Sequence, residues 1–330
     1  MPELSQFHKS FALTSTCCAL LLAGTLPSAT PVRAQESTNK MVRVLTKREG
    51  EVTRFFVENL EMTEVTATFD LTLKNLKSNA GNYSATYPAK CITEAFTVSP
   101  VDPDKQWSYS YVNHFTIGST KAVHDDSVIY CLPYKAGTEN KVTQGYNGSY
   151  SHSGADQYAI DWKMPCGTPV HAARDGIVAK VKVDSNVGGP DRKYENCANY
   201  ILIRHSDGTV ANYAHLSRDG SCVKLGQMVE AGDLIGYSGN TGFTSGPHLH
   251  FSVFKTKSGK QRVSIPVKFQ TTSARGIVLT EGKTYKCVVS PHAVAKAIRP
   301  LPAVSAAPLP VTKPAQPTAD STVKSAVAKS

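Results

Sequence analysis

Residues 245–254 restrict the fold most strongly, because polar and apolar side chains alternate strictly over positions 248–253. Neighbouring side chains of a β-strand point to opposite faces. Leu249 and Phe251 therefore share one face, and His248 and His250 share the other. The apolar row predicts a strand packed on a core. The two imidazoles, about 7 Å apart, are close enough for one to hold a metal ion and the other to contact its water.

Much of the remaining chain also consists of short runs typical of β-strands, separated by glycine, asparagine and proline. These runs show no helical period. Residues 65–73 alternate clearly, and residues 200–205 and 210–216 flank the hairpin turn Ser-Asp-Gly-Thr. A chain of 330 residues with 41% hydrophobic composition is long enough for about two domains. The sequence therefore predicts an all-β protein with a β-sandwich-like domain at 35–143 and an antiparallel β-sheet domain at 144–289.

Both ends of the chain differ from this pattern. Residues 1–34 combine an apolar run at 11–23 with a small-residue cleavage pattern at 32–34, which predicts a secretory signal peptide. The run is shorter than the about 20 residues of a membrane-spanning helix, so we expect an exported protein that is not transmembrane after signal removal. Residues 290–330 are rich in alanine and proline and are predicted to be a disordered tail.

Export makes disulfides the expected state of the cysteines. Outside the predicted signal the chain has six, Cys91, Cys131, Cys166, Cys197, Cys222 and Cys287. No C-x-x-C pair suggests a thiolate zinc site. The favoured pair is Cys91 with Cys131, because both fall in the first predicted domain.

The net charge of +10 indicates an anionic partner. Nucleic acid would be unusual for an exported protein, so we expect no nucleic-acid partner. Anionic cell-envelope polymers would be attracted to such a surface.

A hydrolytic zinc site requires about three histidine or carboxylate ligands and an open position for water. Further histidines and a carboxylate occur upstream of His248, within recognisable segments. The segments are His152, 161–170 (DWKMPCGTPV), 213–216 (YAHL), 238–242 (SGNTG) and 246–251 (GPHLHF). Their order and spacing over residues 144–256 resemble the lysostaphin-like (LytM-type) zinc endopeptidases of bacterial cell walls.

The resemblance implies a role for each of these side chains. It makes His152, Asp161 and His250 the ligands of one zinc ion (Zn²⁺), and His215 and His248 the catalytic pair that moves protons. It also implies peptidoglycan as the substrate. The expected function is therefore a zinc-dependent endopeptidase that hydrolyses peptide bonds in peptidoglycan stem peptides or crossbridges. The alternative is a catalytically silent relative that binds and regulates a cell-wall amidase.

One departure from the family pattern concerns the carboxylate ligand. The common spacing is H-x-x-x-D, which here selects Asp156, whereas Asp161 stands further along the chain. The residues after Asp161 match those that follow the ligand in the family, so the resemblance favours Asp161. Asp156 is then expected to lie exposed in a short insertion. His171 and His205 are expected to be surface residues.

Overall fold

A computed structural model describes residues 13–15, 41–81 and 83–288. The predicted signal peptide at 1–34, apart from Leu13–Ser15, and the predicted tail at 290–330 lie outside the described residues. Within the described ranges, no helix is long and apolar enough to cross a membrane.

The described chain is almost entirely β-structure, which confirms the all-β prediction. The strands of the first half are β1 Leu13–Ser15, β2 Val42–Glu49, β3 Val52–Asn59, β4 Val65–Lys74, β5 Leu76–Ser78, β6 Ser84–Tyr87, β7 Cys91–Pro100 and β8 Ser108–Ile117. Those of the second half are β9 Ile129–Cys131, β10 Glu139–Gln144, β11 Ile160–Lys163, β12 Pro169–His171, β13 Gly176–Lys182, β14 Gly188–Gly189, β15 Tyr200–Arg204, β16 Val210–Ala214, β17 Leu216–Ser221, β18 Met228–Val229, β19 Leu234–Ser238, β20 Gly242–Phe243, β21 His248–Ser258, β22 Gln261–Ile265, β23 Lys268–Gln270, β24 Arg275–Ile277 and β25 Thr284–Lys286. The described residues also include 3₁₀-helices at Gly154–Asp156 and Arg192–Cys197.

The first half folds into two four-stranded sheets, ordered β1-β8-β4-β6 and β2-β3-β7-β5. Alternate residues of their strands, such as Phe55, Phe69 and Phe96, are buried in one shared core. The ring centroids of Phe55 and Phe96 are 4.5 Å apart. This arrangement is the expected consequence of period-two burial on two facing sheets. The exact boundary at residue 143 stays a prediction.

The second half is organised around a large sheet in the order β18-β13-β15-β16-β21-β11-β10-β25, with β22 also paired to β21. All pairs along this path are antiparallel, as predicted. Strand β21 is 11 residues long and is bonded to β16 on one edge. Its other edge is shared, first by β11 and then by β22. The segment identified from the sequence is therefore the centre of the sheet.

The two faces of β21 have different environments. Leu249, Phe251 and Val253 are buried in the core of the second half. Phe254, on the opposite face, packs instead in the sandwich core of the first half. Because His248 and His250 alternate with the buried row, they share the face of Phe254. The first half thus covers one end of that face, and the histidines lie at its other end.

The predicted disulfide between Cys91 and Cys131 is wrong for this structure, in which these two cysteines are not bonded to each other. Cys91 is exposed at the start of β7, opposite Asn59 of the sandwich. Cys131 instead lies in β9, opposite Gln270 of a separate three-stranded sheet.

The expectation that His205 lies on the surface is wrong. Its side chain is fully buried and packs edge-on against Tyr130, at 5.8 Å between ring centroids. Nδ1 lies 2.7 Å from the carbonyl of Asp175, so this nitrogen donates a hydrogen bond. Burial, the largest influence, lowers the pKa of His205 to about 4 from a usual value of 6.5. The His205 side chain is therefore neutral in the folded protein near pH 7.

We expect the stability of the protein to fall between pH 6.5 and pH 4 because of His205. Between these pH values, His205 is protonated in the unfolded chain but not in the folded chain. The free energy of unfolding therefore falls by about 1.4 kcal/mol per pH unit, and by about 3 kcal/mol in all. Urea unfolding of the wild type and of His205→Gln, across that range, measures the difference. Equal pH slopes for the two proteins would contradict a neutral buried His205.

Candidate metal site

Two adjacent strands bring most of the site together. Asp161 of β11 is directly opposite His250 of β21, and Lys163 is opposite His248. His152 precedes the 3₁₀-helix at Gly154–Asp156, and its backbone N–H donates to the carbonyl of Gly148. The structure thus assembles residues that are about 100 positions apart in the sequence.

His152, Asp161 and His250 form a tight cluster. Their potential ligand atoms all lie within 4.8 Å of one another. Nε2 of His152 is 3.2 Å from Oδ1 of Asp161, and Nδ1 of His250 is 2.9 Å from the same oxygen. The side chain of His152 is fully buried, and its Nδ1 lies 2.8 Å from the carbonyl of Gly145.

These residues fit a zinc ion. A tetrahedral ion with bonds of roughly 2.1 Å holds its ligand atoms about 3.4 Å apart, close to the separations found here. The carbonyl of Gly145 only accepts hydrogen bonds, so Nδ1 of His152 carries the hydrogen and Nε2 keeps its lone pair. That buried Nε2 has no hydrogen-bond partner among the described residues. A buried ring nitrogen that keeps its lone pair and has no hydrogen-bond donor beside it has the character of a metal ligand.

His215 and His248 lie beside this cluster. Their ring centroids are 4.5 Å apart, and His215 is 5.8 Å from His250. Nδ1 of His215 is 2.6 Å from the carbonyl of Thr241, and Nδ1 of His248 is 2.8 Å from the carbonyl of Gly246. Each Nδ1 therefore carries the hydrogen, and each Nε2 keeps a lone pair that can accept a proton.

His215 has a left-handed backbone conformation, with φ of 64°. It is the single residue between β16 of the large sheet and β17 of a three-stranded sheet. The chain must turn sharply there to change sheets, and positive φ in a residue other than glycine is a strained conformation often found at functional sites. The sequence carries no pattern from which this conformation could be predicted.

The charges of the site are strongly coupled. Burial would raise the pKa of Asp161, but His152 and His250 outweigh it and hold that pKa well below its usual range. Burial would lower the pKa of His250, but Asp156 and Asp161 outweigh it and raise the pKa to about 9. Burial, assisted by His248 and His250, lowers the pKa of His215 to about 3. His215 is therefore neutral near pH 7.

Gln144 is a site residue that sequence reasoning missed. Its side-chain amide donates to Oδ2 of Asp161 at 3.0 Å and to Oγ of Ser151 at 2.9 Å. Its carbonyl oxygen accepts from the backbone of Tyr150 and Ser151. The residue therefore ties the carboxylate of Asp161 to the turn that leads into His152. A single glutamine at a strand end gives no signal in the sequence.

The cluster opens into a groove of about 350 Å³. Its lining residues are Thr143, Gln144, Tyr150, Ser151, Asp161, Lys163, His215, Phe243, Thr244, Ser245, Gly246, Pro247, His248 and His250. Tyr150 stacks on Phe243 at 5.5 Å, and the guanidinium of Arg192 lies 4.9 Å from the Phe243 ring. Segment 185–196 pairs with β20 through β14 and thus supports one groove wall.

The expectation that Asp156 is exposed is wrong. Only 20% of its side chain is accessible, and both its oxygens lie 3.0 Å from Nη2 of Arg262. Asp156 is also 3.8 Å from Nε2 of His250, on the side of the ring away from Asp161. The carboxylate within the cluster is Asp161, and Asp156 lies behind it.

Comparison with known proteins finds a family match for part of the chain. Residues 155–263 match Peptidase family M23. Peptidoglycan DD-endopeptidase ShyA of Vibrio cholerae is 40% identical over 99 residues, which is 30% of this chain and 20% of ShyA. Lysostaphin of Staphylococcus simulans is 33% identical over 158 residues, 47% of this chain and 28% of lysostaphin. The aligned segments therefore span less than a third of either relative.

A solved structure gives a further comparison. The catalytic domain of lysostaphin from Staphylococcus simulans, crystallised in the absence of phosphate, is 28% identical, covers 38% of this chain and 87% of that domain, and has a TM-score of 0.28. The family match includes Asp161, His215, His248 and His250. Residues 155–263, about a third of the chain, are therefore similar to Peptidase family M23.

Proposed function

We propose that the protein is a zinc-dependent endopeptidase that hydrolyses peptide bonds in the stem peptides or crossbridges of peptidoglycan. The observation that supports this most is the grouping of His152, Asp161 and His250 beside two further histidines, at an open groove of a Peptidase M23 domain. The names of ShyA and lysostaphin supply the class of substrate and reaction. Export to the cell envelope, where that substrate lies, belongs to the same proposal.

The residues divide into two roles. His152, Asp161 and His250 hold the zinc ion, which when bound supplies Lewis-acid catalysis of hydrolysis. His248 and His215 present Nε2 lone pairs to the groove. One accepts a proton from the attacking water, and the pair delivers a proton to the leaving amine. The carbonyls of Thr241 and Gly246 keep both rings in the tautomer that this requires.

The other candidate, a silent relative that regulates an amidase, requires no intact site. In this chain all five side chains of the proposed site are present and close together. Such a set favours the enzyme over the regulator. No residue of 41–131 is among the described residues that line the groove.

Chelation is expected to abolish activity reversibly. The purified protein is incubated with crosslinked peptidoglycan, and the released muropeptides are separated and identified by mass. We expect new peptide ends in the untreated sample, none after treatment with a chelator, and recovery on adding zinc but not magnesium, because the ligand set is two imidazoles and one carboxylate. Muropeptide profiles that are identical with and without protein would refute the proposed function.

A further inference from the structure

His250 lies between two carboxylates. Its Nδ1 is 2.9 Å from Oδ1 of Asp161, within the metal cluster. Its Nε2 is 3.8 Å from Oδ1 of Asp156, behind the cluster. The two nitrogens of an imidazole point away from each other, so a metal bound at Nδ1 leaves Nε2 and its hydrogen on the side of Asp156.

Asp156 is held firmly in this place. Nη2 of Arg262 lies 3.0 Å from each carboxylate oxygen, and Oγ of Ser252 donates to Oδ1 at 3.3 Å. Only 6% of the Arg262 side chain is exposed, and its guanidinium lies 4.8 Å from the ring centroid of Phe254. A buried carboxylate needs such a paired cation to remain ionised.

The hairpin of β21 and β22 supplies both parts of this arrangement. Ser252 follows His250 by two residues on β21, so both side chains lie on one face. Arg262 of β22 is paired with Thr256 of β21, further along the same hairpin. The metal ligand and the residues that hold Asp156 therefore belong to one rigid unit, and Asp156 approaches it from the 3₁₀-helix at Gly154–Asp156.

Metal-binding histidines usually donate their second N–H to a carboxylate, which fixes the tautomer and ring orientation and raises the basicity of the ligating nitrogen. We propose that Asp156, held by Arg262, is a positioning residue that orients His250 for metal binding. The inference rests on the metal site of the proposed function. It also gives a chemical role to the extra residues between His152 and Asp161, because the segment that lengthens the common H-x-x-x-D spacing carries Asp156 to His250.

The test is the zinc affinity of Asp156→Asn, measured by competition with a chromophoric chelator on the full chain. Loss of an outer-sphere carboxylate is expected to weaken zinc binding by about 10–100-fold. Arg262→Gln, which removes the cation that holds Asp156, is expected to weaken it in the same direction. The matched control is Asp184→Asn, a carboxylate that is 81% exposed and paired with Lys182, and its affinity should equal that of the wild type.

Cobalt substitution adds a readout that a purely structural role would not change. The visible spectrum of the cobalt protein reports ligand geometry, so a shift in Asp156→Asn, with circular dichroism unchanged, supports a reoriented His250. Wild-type zinc affinity and cobalt spectrum in a folded Asp156→Asn protein would overturn the proposal. If that variant does not fold, Arg262→Gln is decisive, and unchanged affinity there overturns the proposal equally.

The proposed function can fail separately. A wild type that binds zinc but leaves peptidoglycan intact would refute the peptidoglycan endopeptidase, while the zinc affinities of the variants would still decide the role of Asp156. A wild type that binds no zinc would overturn both.

Discussion

Replacing His248 by alanine is expected to lower kcat for peptidoglycan cleavage by about 10²–10⁴-fold, the usual contribution of a positioned acid–base group. The zinc content should remain that of the wild type. His248 lines the groove and its Nδ1 is occupied by the carbonyl of Gly246. Its Nε2 is 3.9 Å from Oδ2 of Asp161, so it lies beside the cluster and not among its three closest members.

The measurement pairs single-turnover kinetics on a crosslinked muropeptide with metal analysis of the same sample. His114→Ala is the matched control, because His114 lies in β8 of the sandwich, 3.2 Å from Asp70, and does not line the groove. His215→Ala should resemble His248→Ala, and the double variant should be little worse than either, since residues that act as a unit are not additive. Loss of zinc from His248→Ala would show that His248 is a ligand, and the assignment of roles would then be wrong.

Part of the strand pattern could be predicted because polar and apolar residues alternate in the sequence, most clearly at positions 248–253. Leu249, Phe251 and Val253 alternate with polar residues in the sequence, and all three are buried in the structure. The pattern predicts the faces of a strand but not its partners. That Asp161 lies opposite His250 depends on the register of β11 against β21, which is set by turns and packing over the whole sheet.

Other parts of the site depend on contacts that leave no local pattern. Gln144 and Arg262 act on Asp161 and Asp156 through side-chain hydrogen bonds across 17 and 106 positions. The buried state of His205 depends on Tyr130, from a distant strand. The exposure expected for Asp156 was wrong because an insertion in the sequence is not always a loop in solvent. Here it folds back as a 3₁₀ turn against the sheet.

Replacing Asp161 by alanine is expected to remove the metal and abolish activity. Asp161 is the one carboxylate in the cluster, and it is in contact with both His152 and His250. Its loss removes one of three ligands and leaves two imidazoles without their shared anion. The loss of zinc affinity should exceed the about 10–100-fold expected for an outer-sphere residue such as Asp156. Equilibrium dialysis against zinc, followed by metal analysis, gives the comparison.

The comparison of Asp161→Ala with Asp156→Ala is decisive because both carboxylates approach His250 from opposite sides. If Asp161 is the ligand, its variant is free of metal at zinc concentrations that still load Asp156→Ala. If the common H-x-x-x-D spacing governed the site, the order would be reversed. Full zinc retention by folded Asp161→Ala would therefore assign the ligand to Asp156. The distances argue against that result, since Oδ1 of Asp161 is within 3.2 Å of both histidines, whereas Asp156 is 3.8 Å from His250 alone and is already paired with Arg262.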